Sequence, residues 1–237
     1  MESLEAELDR ARALPVGKLA DAIESIGFEC TRCGACCKGY EGDDGDREPH
    51  TATVFPDEVR ELEAETRGEW RDVARPMPYG LAEGADGPEG ETFEWALQTD
   101  SCGDCTFYAE DDSGRGACTV HDSRPLICRT YPFSVALAGT SQPMGEAVDS
   151  VALEAQREAG ETDDEEGLVR AHECEGLGRD ISREDAEELA GALKERAVRE
   201  LEEAIGVRDN YESVDRSPGD VVVHDSEGAK RPDGTPR

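Results

Sequence analysis

Residues 30–37 read Cys30-Thr31-Arg32-Cys33-Gly34-Ala35-Cys36-Cys37, so three cysteines recur at three-residue spacing and a fourth follows at once. A C-x-x-C turn brings two thiolates within reach of one metal ion. Consecutive side chains project in different directions, so Cys36 and Cys37 can share one mononuclear ion only with difficulty. The run therefore indicates a multinuclear cluster or two neighbouring metal sites.

Five more cysteines lie downstream and could supply the partners of this run. Four thiolates complete a tetrahedral zinc site or hold a four-iron cluster, so eight could form two such sites. For an isolated cysteine the alternative is a buried thiol that packs as a small apolar side chain. The downstream cysteines are Cys102, Cys105, Cys118, Cys128 and Cys174.

The composition is extreme, with a formal net charge of -32 over 237 residues. Leu, Ile, Val and Phe together number only 40, which by itself predicts a disordered chain. Only four of the 25 basic residues are lysine, a balance typical of proteins from a very salty cytosol. At molar salt the Debye length falls to about 3 Å, which screens acidic self-repulsion. The charge argues against nucleic-acid and anionic-membrane partners.

The sequence starts without a basic and apolar leader, and no apolar run reaches membrane-spanning length. We therefore expect a soluble, cytoplasmic protein. In a reducing compartment, clustered cysteines serve as metal ligands or redox groups more often than as disulfides.

The hydrophobic spacing predicts an α+β fold, namely an irregular, metal-stapled domain with a small antiparallel sheet and peripheral helices. The acidic, glycine-rich stretches at 76–90 and 160–167 are predicted to be loops. The last helix is expected to start after Ser182 and to stop at Gly206. The predicted segments are N-terminal helices (1–27), a cysteine-cluster metal-binding domain (28–178), an amphipathic helix (179–206) and an acidic, disordered tail (207–237).

Four cysteine-containing motifs of the chain occur together in one known family. They are the run at 30–37, Cys-Thr-Phe-Tyr at 105–108, the segment 116–133 with its R-P-x-x-C-R-x-Y-P-F string, and Cys-Glu-Gly at 174–176. Over about residues 28–178 the chain resembles the YkgJ-like cysteine-cluster proteins, which are described as zinc- or iron-chelating. The resemblance implies eight metal-ligand cysteines: Cys30, Cys33, Cys36, Cys37, Cys105, Cys118, Cys128 and Cys174.

Other residues near the cysteines have open roles. Cys102 is an additional thiol that could substitute for Cys105 or be spare. His121 and His172 lie close to cysteines in sequence, but eight thiols leave no need for them as ligands. Four cations flank the cysteines and could offset thiolate charge or only pair with surface carboxylates; they are Arg32, Lys38, Arg124 and Arg129.

All-thiolate ligation suits both zinc and iron–sulfur clusters. We prefer an iron–sulfur cluster because of the adjacent cysteines. The leading interpretation is a metal-binding protein that is redox-active or handles metal. The second interpretation is a cluster-dependent oxidoreductase or protein-modifying enzyme. The family is distantly similar to flagellin lysine N-methylases. This sequence, however, contains no glycine-rich nucleotide fingerprint and no identifiable catalytic residues. The third is a structural zinc module for protein interaction.

Overall fold

The computed structural model describes residues 3–42, 45, 47–85, 87–143, 145–153 and 167–237. These residues form six α-helices, two short 3-10 helices and fourteen strands in five small sheets, which confirms the predicted α+β class. The acidic loop predicted at 160–167 lies outside the described residues, apart from Gly167. No helix in the described ranges is both long and apolar enough to cross a membrane.

The elements are short, as expected of a chain with little apolar content. The helices are α1 (Leu4–Ala13), α2 (Val16–Ile26), α3 (Pro56–Thr66), α4 (Trp70–Val73), α5 (Leu126–Thr130) and α6 (Arg183–Asn210), and the 3-10 helices are Ala35–Cys37 and His121–Ser123. The strands are β1 (Tyr40–Glu41), β2 (Arg47–Glu48), β3 (Thr53–Val54), β4 (Ala74–Pro76), β5 (Leu81–Gly84), β6 (Gly87–Thr92), β7 (Trp95–Leu97), β8 (Tyr108–Glu110), β9 (Gly116–Cys118), β10 (Phe133–Val135), β11 (Ala147–Val151), β12 (Val169–His172), β13 (Val221–Asp225) and β14 (Gly228–Lys230).

The chain divides into two compact units, each made of two segments. Unit 1 comprises Met1–Cys36 and Leu126–Glu202, and unit 2 comprises Cys37–Pro125 and Glu203–Arg237. The chain passes from one unit to the other at three points, the first of which lies between the adjacent cysteines Cys36 and Cys37. The division of the chain into four segments, made from the sequence, stays a prediction.

Unit 1 packs helices against a three-stranded antiparallel sheet in the order β10–β12–β11. Helix α2 contacts β12 and ends at Gly27, whose φ of 78° favours glycine. Helix α6 begins as predicted, because the Ser182 hydroxyl accepts the Asp185 N–H at 3.1 Å.

A buried arginine fixes the segment that follows α5 in unit 1. Arg196 has only 2% of its side chain exposed and lies 2.9 Å from the Glu200 carboxylate. Its guanidinium also donates to the Thr130 hydroxyl at 3.1 Å and to the Phe133 carbonyl at 3.2 Å. These bonds anchor both ends of the turn between α5 and β10, and Cys128 lies on α5.

Unit 2 contains the sheets β3–β7–β4 and β14–β13–β6–β5 and the hairpin β8–β9. The loop predicted at 76–90 is wrong, because β5 and β6 form an antiparallel pair there and β6 also pairs in parallel with β13. Backbone hydrogen bonds hold such strands together even when their side chains are glycine and glutamate.

The tail predicted to be disordered is ordered instead. Val222 and Val223 on β13 are fully buried. The Asp225 carboxylate accepts the Trp95 indole N–H at 2.8 Å and lies 2.8 Å from the Lys230 ammonium. Burial of two valines and a buried ion pair offset the cost of ordering a polar segment.

The predicted stop of α6 at Gly206 is also wrong, because the helix continues to Asn210. A Cβ placed on Gly206 would lie 2.6 Å from the Cβ of Ser226. This glycine therefore permits a close approach between the helix and the tail hairpin rather than ending the helix.

Candidate metal centre

All nine cysteines lie in the described ranges, and each is a thiol rather than half of a disulfide. Both units carry several of them. Unit 1 holds Cys30, Cys33, Cys36, Cys128 and Cys174, and unit 2 holds Cys37, Cys102, Cys105 and Cys118.

A short backbone pairing brings the two ends of the unit 1 thiol set together. The Glu29 N–H donates to the Gly176 carbonyl at 3.0 Å, and the Gly178 N–H donates to the Gly27 carbonyl at 3.0 Å. A Cβ on Gly176 would lie only 2.3 Å from the Glu29 carbonyl oxygen, so only glycine allows this approach. Cys30 directly follows one side of this pairing, and Cys174 lies just before the other side.

The cysteine run itself folds as a tight series of turns. Arg32 has φ 60° and Gly34 has φ 78°, both in the left-handed region, and residues Ala35–Cys37 form one turn of 3-10 helix. The run is therefore the irregular knuckle that its small residues and cysteines predict.

The Cys174 thiol is influenced by burial and by three thiols of the cysteine run. Burial raises the pKa of the Cys174 thiol, and the neighbouring thiols Cys36, Cys33 and Cys30 raise it further. The Gly176 N–H, 3.4 Å from the Cys174 sulfur, opposes this shift in pKa. A bound cation would relieve the repulsion among these thiolates.

Aromatic side chains surround this group. Burial raises the pKa of the Tyr131 phenol, and the negative charges of Cys174, Cys36 and Cys33 add to the effect. The Tyr131 hydroxyl donates to the Glu173 carbonyl. Phe28 meets Phe133 edge-on, with ring centroids 5.9 Å apart. Tyr131 is therefore the aromatic side chain that responds to the charge of these thiols, and the Phe28–Phe133 pair lies close to it and to Cys30 in sequence.

In unit 2, backbone hydrogen bonds and strand pairing connect the segments that carry three of the cysteines. The Cys105 N–H donates to the Cys37 carbonyl at 2.8 Å, and Tyr108 N–H donates to the Cys105 carbonyl at 2.9 Å. Tyr108 is the direct cross-strand partner of Cys118 in the β8–β9 hairpin. Cys105 is only 7% exposed, whereas Cys102 is exposed. Cys37, Cys105 and Cys118 thus form a second candidate group.

The flanking cations differ in their partners. The Lys38 ammonium pairs with the Glu110 carboxylate, and this hydrogen bond raises the pKa of Lys38. Within the described part of the chain, by contrast, Arg32, Arg124 and Arg129 form no ion pair with a carboxylate. In so acidic a protein, these three arginines, close to cysteines in sequence, fit the idea that they offset thiolate charge.

The two histidines that lie near cysteines in sequence, His121 and His172, have other partners. Both ring nitrogens of the buried His172 are in hydrogen bonds: Nε2 lies 3.0 Å from the Ser134 hydroxyl and Nδ1 lies 3.1 Å from the Gly145 carbonyl. His121 is exposed, with Nδ1 3.4 Å from its neighbour Asp122. His172 therefore organises the end of β12, and sequence spacing alone could not show this.

The donor set fits a thiophilic metal, since each unit gathers at least three thiols from separate segments. No three Cys, His, Asp or Glu side chains among the residues that the structure describes are already arranged to hold an ion. The fit therefore rests on donor chemistry and on backbone positions. Two glycines, Gly27 and Gly176, set those positions. Gly176 belongs to the Cys-Glu-Gly motif, but the motif does not reveal its contact with Glu29.

A protein-family model matches residues 29–175. It is that of the CxxCxxCC family, described as "Putative zinc- or iron-chelating domain". The match spans more than half of the chain, so the chain belongs to this family. Membership supports metal chelation by the cysteine-rich part and leaves zinc and iron as the two metals. Comparisons with curated proteins and with solved structures found no match.

Proposed function

We propose that the chain is a cytoplasmic metal-binding protein that holds an iron–sulfur cluster or zinc through eight cysteines and serves in electron transfer or metal handling. The observation that carries this proposal is the backbone pairing of Glu29 with Gly176, which brings the cysteine run at 30–37 next to the segment that holds Cys174. A fold that brings thiols from distant segments close together, without a disulfide among them, favours binding of a thiophilic cation.

Two groups of ligands follow from the division of the chain. The first group is Cys30, Cys33, Cys36 and Cys174 in unit 1, and the second is Cys37, Cys105 and Cys118 in unit 2. Cys128 on α5 completes the set of eight. The adjacent Cys36 and Cys37 then serve different groups, which answers the geometric difficulty of placing both on one ion.

The bound group would supply either one-electron redox chemistry, as an iron–sulfur cluster, or Lewis acidity and structural cross-linking, as zinc. The protein's own residues supply the rest. The cysteines bind as thiolates, Tyr131 and Phe133 restrict water on one side, and Arg32 and Arg129 carry positive charge that offsets the thiolates of unit 1.

An iron–sulfur cluster is the preferred cofactor, because the recurrence of cysteines at three-residue spacing resembles the cluster-binding runs of ferredoxins. Two zinc ions on the same ligands are the alternative. The scarcity of lysine, four residues in all, further suggests a cytoplasm with high salt, so the protein should be handled in molar potassium chloride.

Anaerobic purification in high salt, followed by metal analysis and a visible absorption spectrum, tests the proposal. We expect iron and acid-labile sulfide, with a broad visible absorption that bleaches on reduction. A protein that contains zinc and shows no visible absorption would hold zinc sites instead of an iron–sulfur cluster. A protein that contains neither metal, and takes up neither when reconstituted under reducing conditions, would refute the proposal.

A further inference from the structure

The unit 2 thiols differ in access to solvent, and one of them opens into a cleft. Cys105 is 7% exposed, and Cys37 and Cys118 are half-buried. Cys102 is exposed and lines a cleft of about 750 Å³ together with Arg47, Asp100 and Ser101. A metal ion arriving from solution can therefore meet Cys102 before it meets the shielded thiols.

Hydrogen bonds fix the backbone of Cys102, and the residue lines the cleft. The Cys102 N–H donates to the Asp100 carboxylate at 2.8 Å. Its carbonyl accepts from Arg47 Nε at 2.7 Å. The next residue, Gly103, has φ 83° and its N–H donates to the Asp100 carbonyl at 3.1 Å.

The charges in the cleft permit approach of a cation. Arg47 brings a positive charge, but its guanidinium lies 2.5 Å from the Asp104 carboxylate, which offsets it. Asp100 adds a second carboxylate at the wall of the cleft. The net charge of these three side chains is negative at neutral pH.

Cys102 also stands in the right relation to a shielded thiol. Cys102-Gly-Asp-Cys105 is a C-x-x-C sequence, a spacing that allows two sulfurs to reach one ion. Cys105 is in turn joined to Cys37 by the 2.8 Å backbone hydrogen bond. The C-x-x-C spacing therefore connects the exposed Cys102 to a member of the second thiol group.

We infer that Cys102 is the capture thiol of unit 2: it takes the metal ion from its carrier and passes it to Cys105. This inference rests on the proposed function. Cys102 loses its thiol proton to solvent and forms a sulfur–metal bond as one carrier ligand leaves. Cys105 then loses its proton and binds the same ion, and Cys102 leaves the ion and regains a proton. No oxidant or reductant is required, because the ion keeps its charge throughout.

The test measures how fast the reduced, metal-free full-length chain removes zinc from the chromogenic chelator pyridylazoresorcinol in high salt. The variants are Cys102→Ser and, as a matched control on the same cleft wall, Ser101→Ala. We expect Cys102→Ser to slow the uptake phase of unit 2 about tenfold, the low end of the cost of losing a supporting group at a metal site. Zinc bound per chain at completion should equal that of the wild type.

Circular dichroism spectra establish that each variant is folded before uptake is measured. An unchanged uptake rate in Cys102→Ser would overturn the inference. A lower final zinc content would overturn it as well, because Cys102 would then be a resident ligand. An equal slowing in Ser101→Ala would mean that the cleft, and not the thiol, controls uptake. Failure of the wild type to bind zinc or iron at all refutes the proposed function instead.

Discussion

The two thiol groups are assembled in different ways. In unit 1, the short pairing of residues 27–29 with residues 176–178 joins Cys174 to a run far away in sequence, and burial together with the neighbouring thiols raises the pKa of Cys174. In unit 2, a hairpin and a direct backbone hydrogen bond position Cys37, Cys105 and Cys118. Ion pairs of Lys38 and Arg47 lie beside these residues. We therefore expect local order in unit 1 to depend more on a bound metal than local order in unit 2, where protein hydrogen bonds and ion pairs position the cysteines.

Removal of the metal should give the largest difference between the units. Thiolate ligation of a structural zinc ion contributes on the order of 10 kcal/mol, and in unit 1 its loss also leaves the thiol repulsion uncompensated. Hydrogen exchange of chelator-treated protein should therefore rise strongly at 27–36 and 174–178 and much less at 104–119. Equal rises in the two regions would contradict the comparison.

Loss of the Lys230 ammonium should lower the free energy of unfolding of unit 2 without changing any of its candidate metal ligands. Lys230→Met leaves the Asp225 carboxylate, which is 1% exposed, without its cation. Breaking a buried pair in this way costs about 3–5 kcal/mol. Both tryptophans, Trp70 and Trp95, lie in unit 2, so denaturation followed by tryptophan fluorescence reports on this unit.

The corresponding control for Lys230→Met is hydrogen exchange in unit 1. Exchange at 27–36 should stay at the wild-type level. If it rose as much as exchange in β13 and β14, the two units would not be independent in stability.

A methyl group at Gly176 should disrupt the pairing on which the unit 1 thiols depend. In Gly176→Ala the new Cβ would meet the Glu29 carbonyl at 2.3 Å, which we expect to cost about 1–3 kcal/mol. The amount of metal bound by unit 1 should fall together with the stability of this pairing. Gly191→Ala is the matched control, because nothing lies within 4 Å of a Cβ there and the residue is in α6. That change should stabilise the helix by about 0.5–1 kcal/mol.

The smallest expected effect is a shift in the acid sensitivity of unit 2. The hydrogen bond from Arg60 lowers the pKa of the Glu227 carboxyl to about 2, with Lys230 adding to this effect against burial. A lowered pKa stabilises the folded state above the ordinary carboxyl value, and this contribution is lost as pH falls from about 4.5 to about 2. Urea denaturation of metal-free Glu227→Gln should show a smaller loss of stability over this window than the wild type. An identical pH profile would show that the ion pair does not stabilise unit 2.

Local features of the fold could be predicted from the sequence. Gly27 at the end of α2, Ser182 at the start of α6 and the hairpin before Cys118 all follow from short-range chemistry. Long-range partners could not. Nothing near Val222 reveals that a parallel pairing with β6 buries it, and nothing near Gly206 reveals that Ser226 lies against it.

The same limit applies to the candidate site. The spacing of residues 30–37 predicts thiolate chemistry, and the family assignment bears out metal chelation. The grouping of the cysteines depends on contacts between distant segments, such as Glu29 with Gly176 and Cys37 with Cys105. Sequence spacing gives no information about such contacts, and Cys36 and Cys37, neighbours in the chain, belong to different units.

Metal content per chain in single-cysteine variants tests the central claim most directly. Cys33→Ser removes a ligand of the unit 1 group and Cys118→Ser one of the unit 2 group. After anaerobic purification in high salt, each variant should retain about half of the metal of the wild type, since each group ligates its own metal, and the double variant should retain almost none. Complete loss of metal in either single variant would contradict the existence of two separate thiol groups.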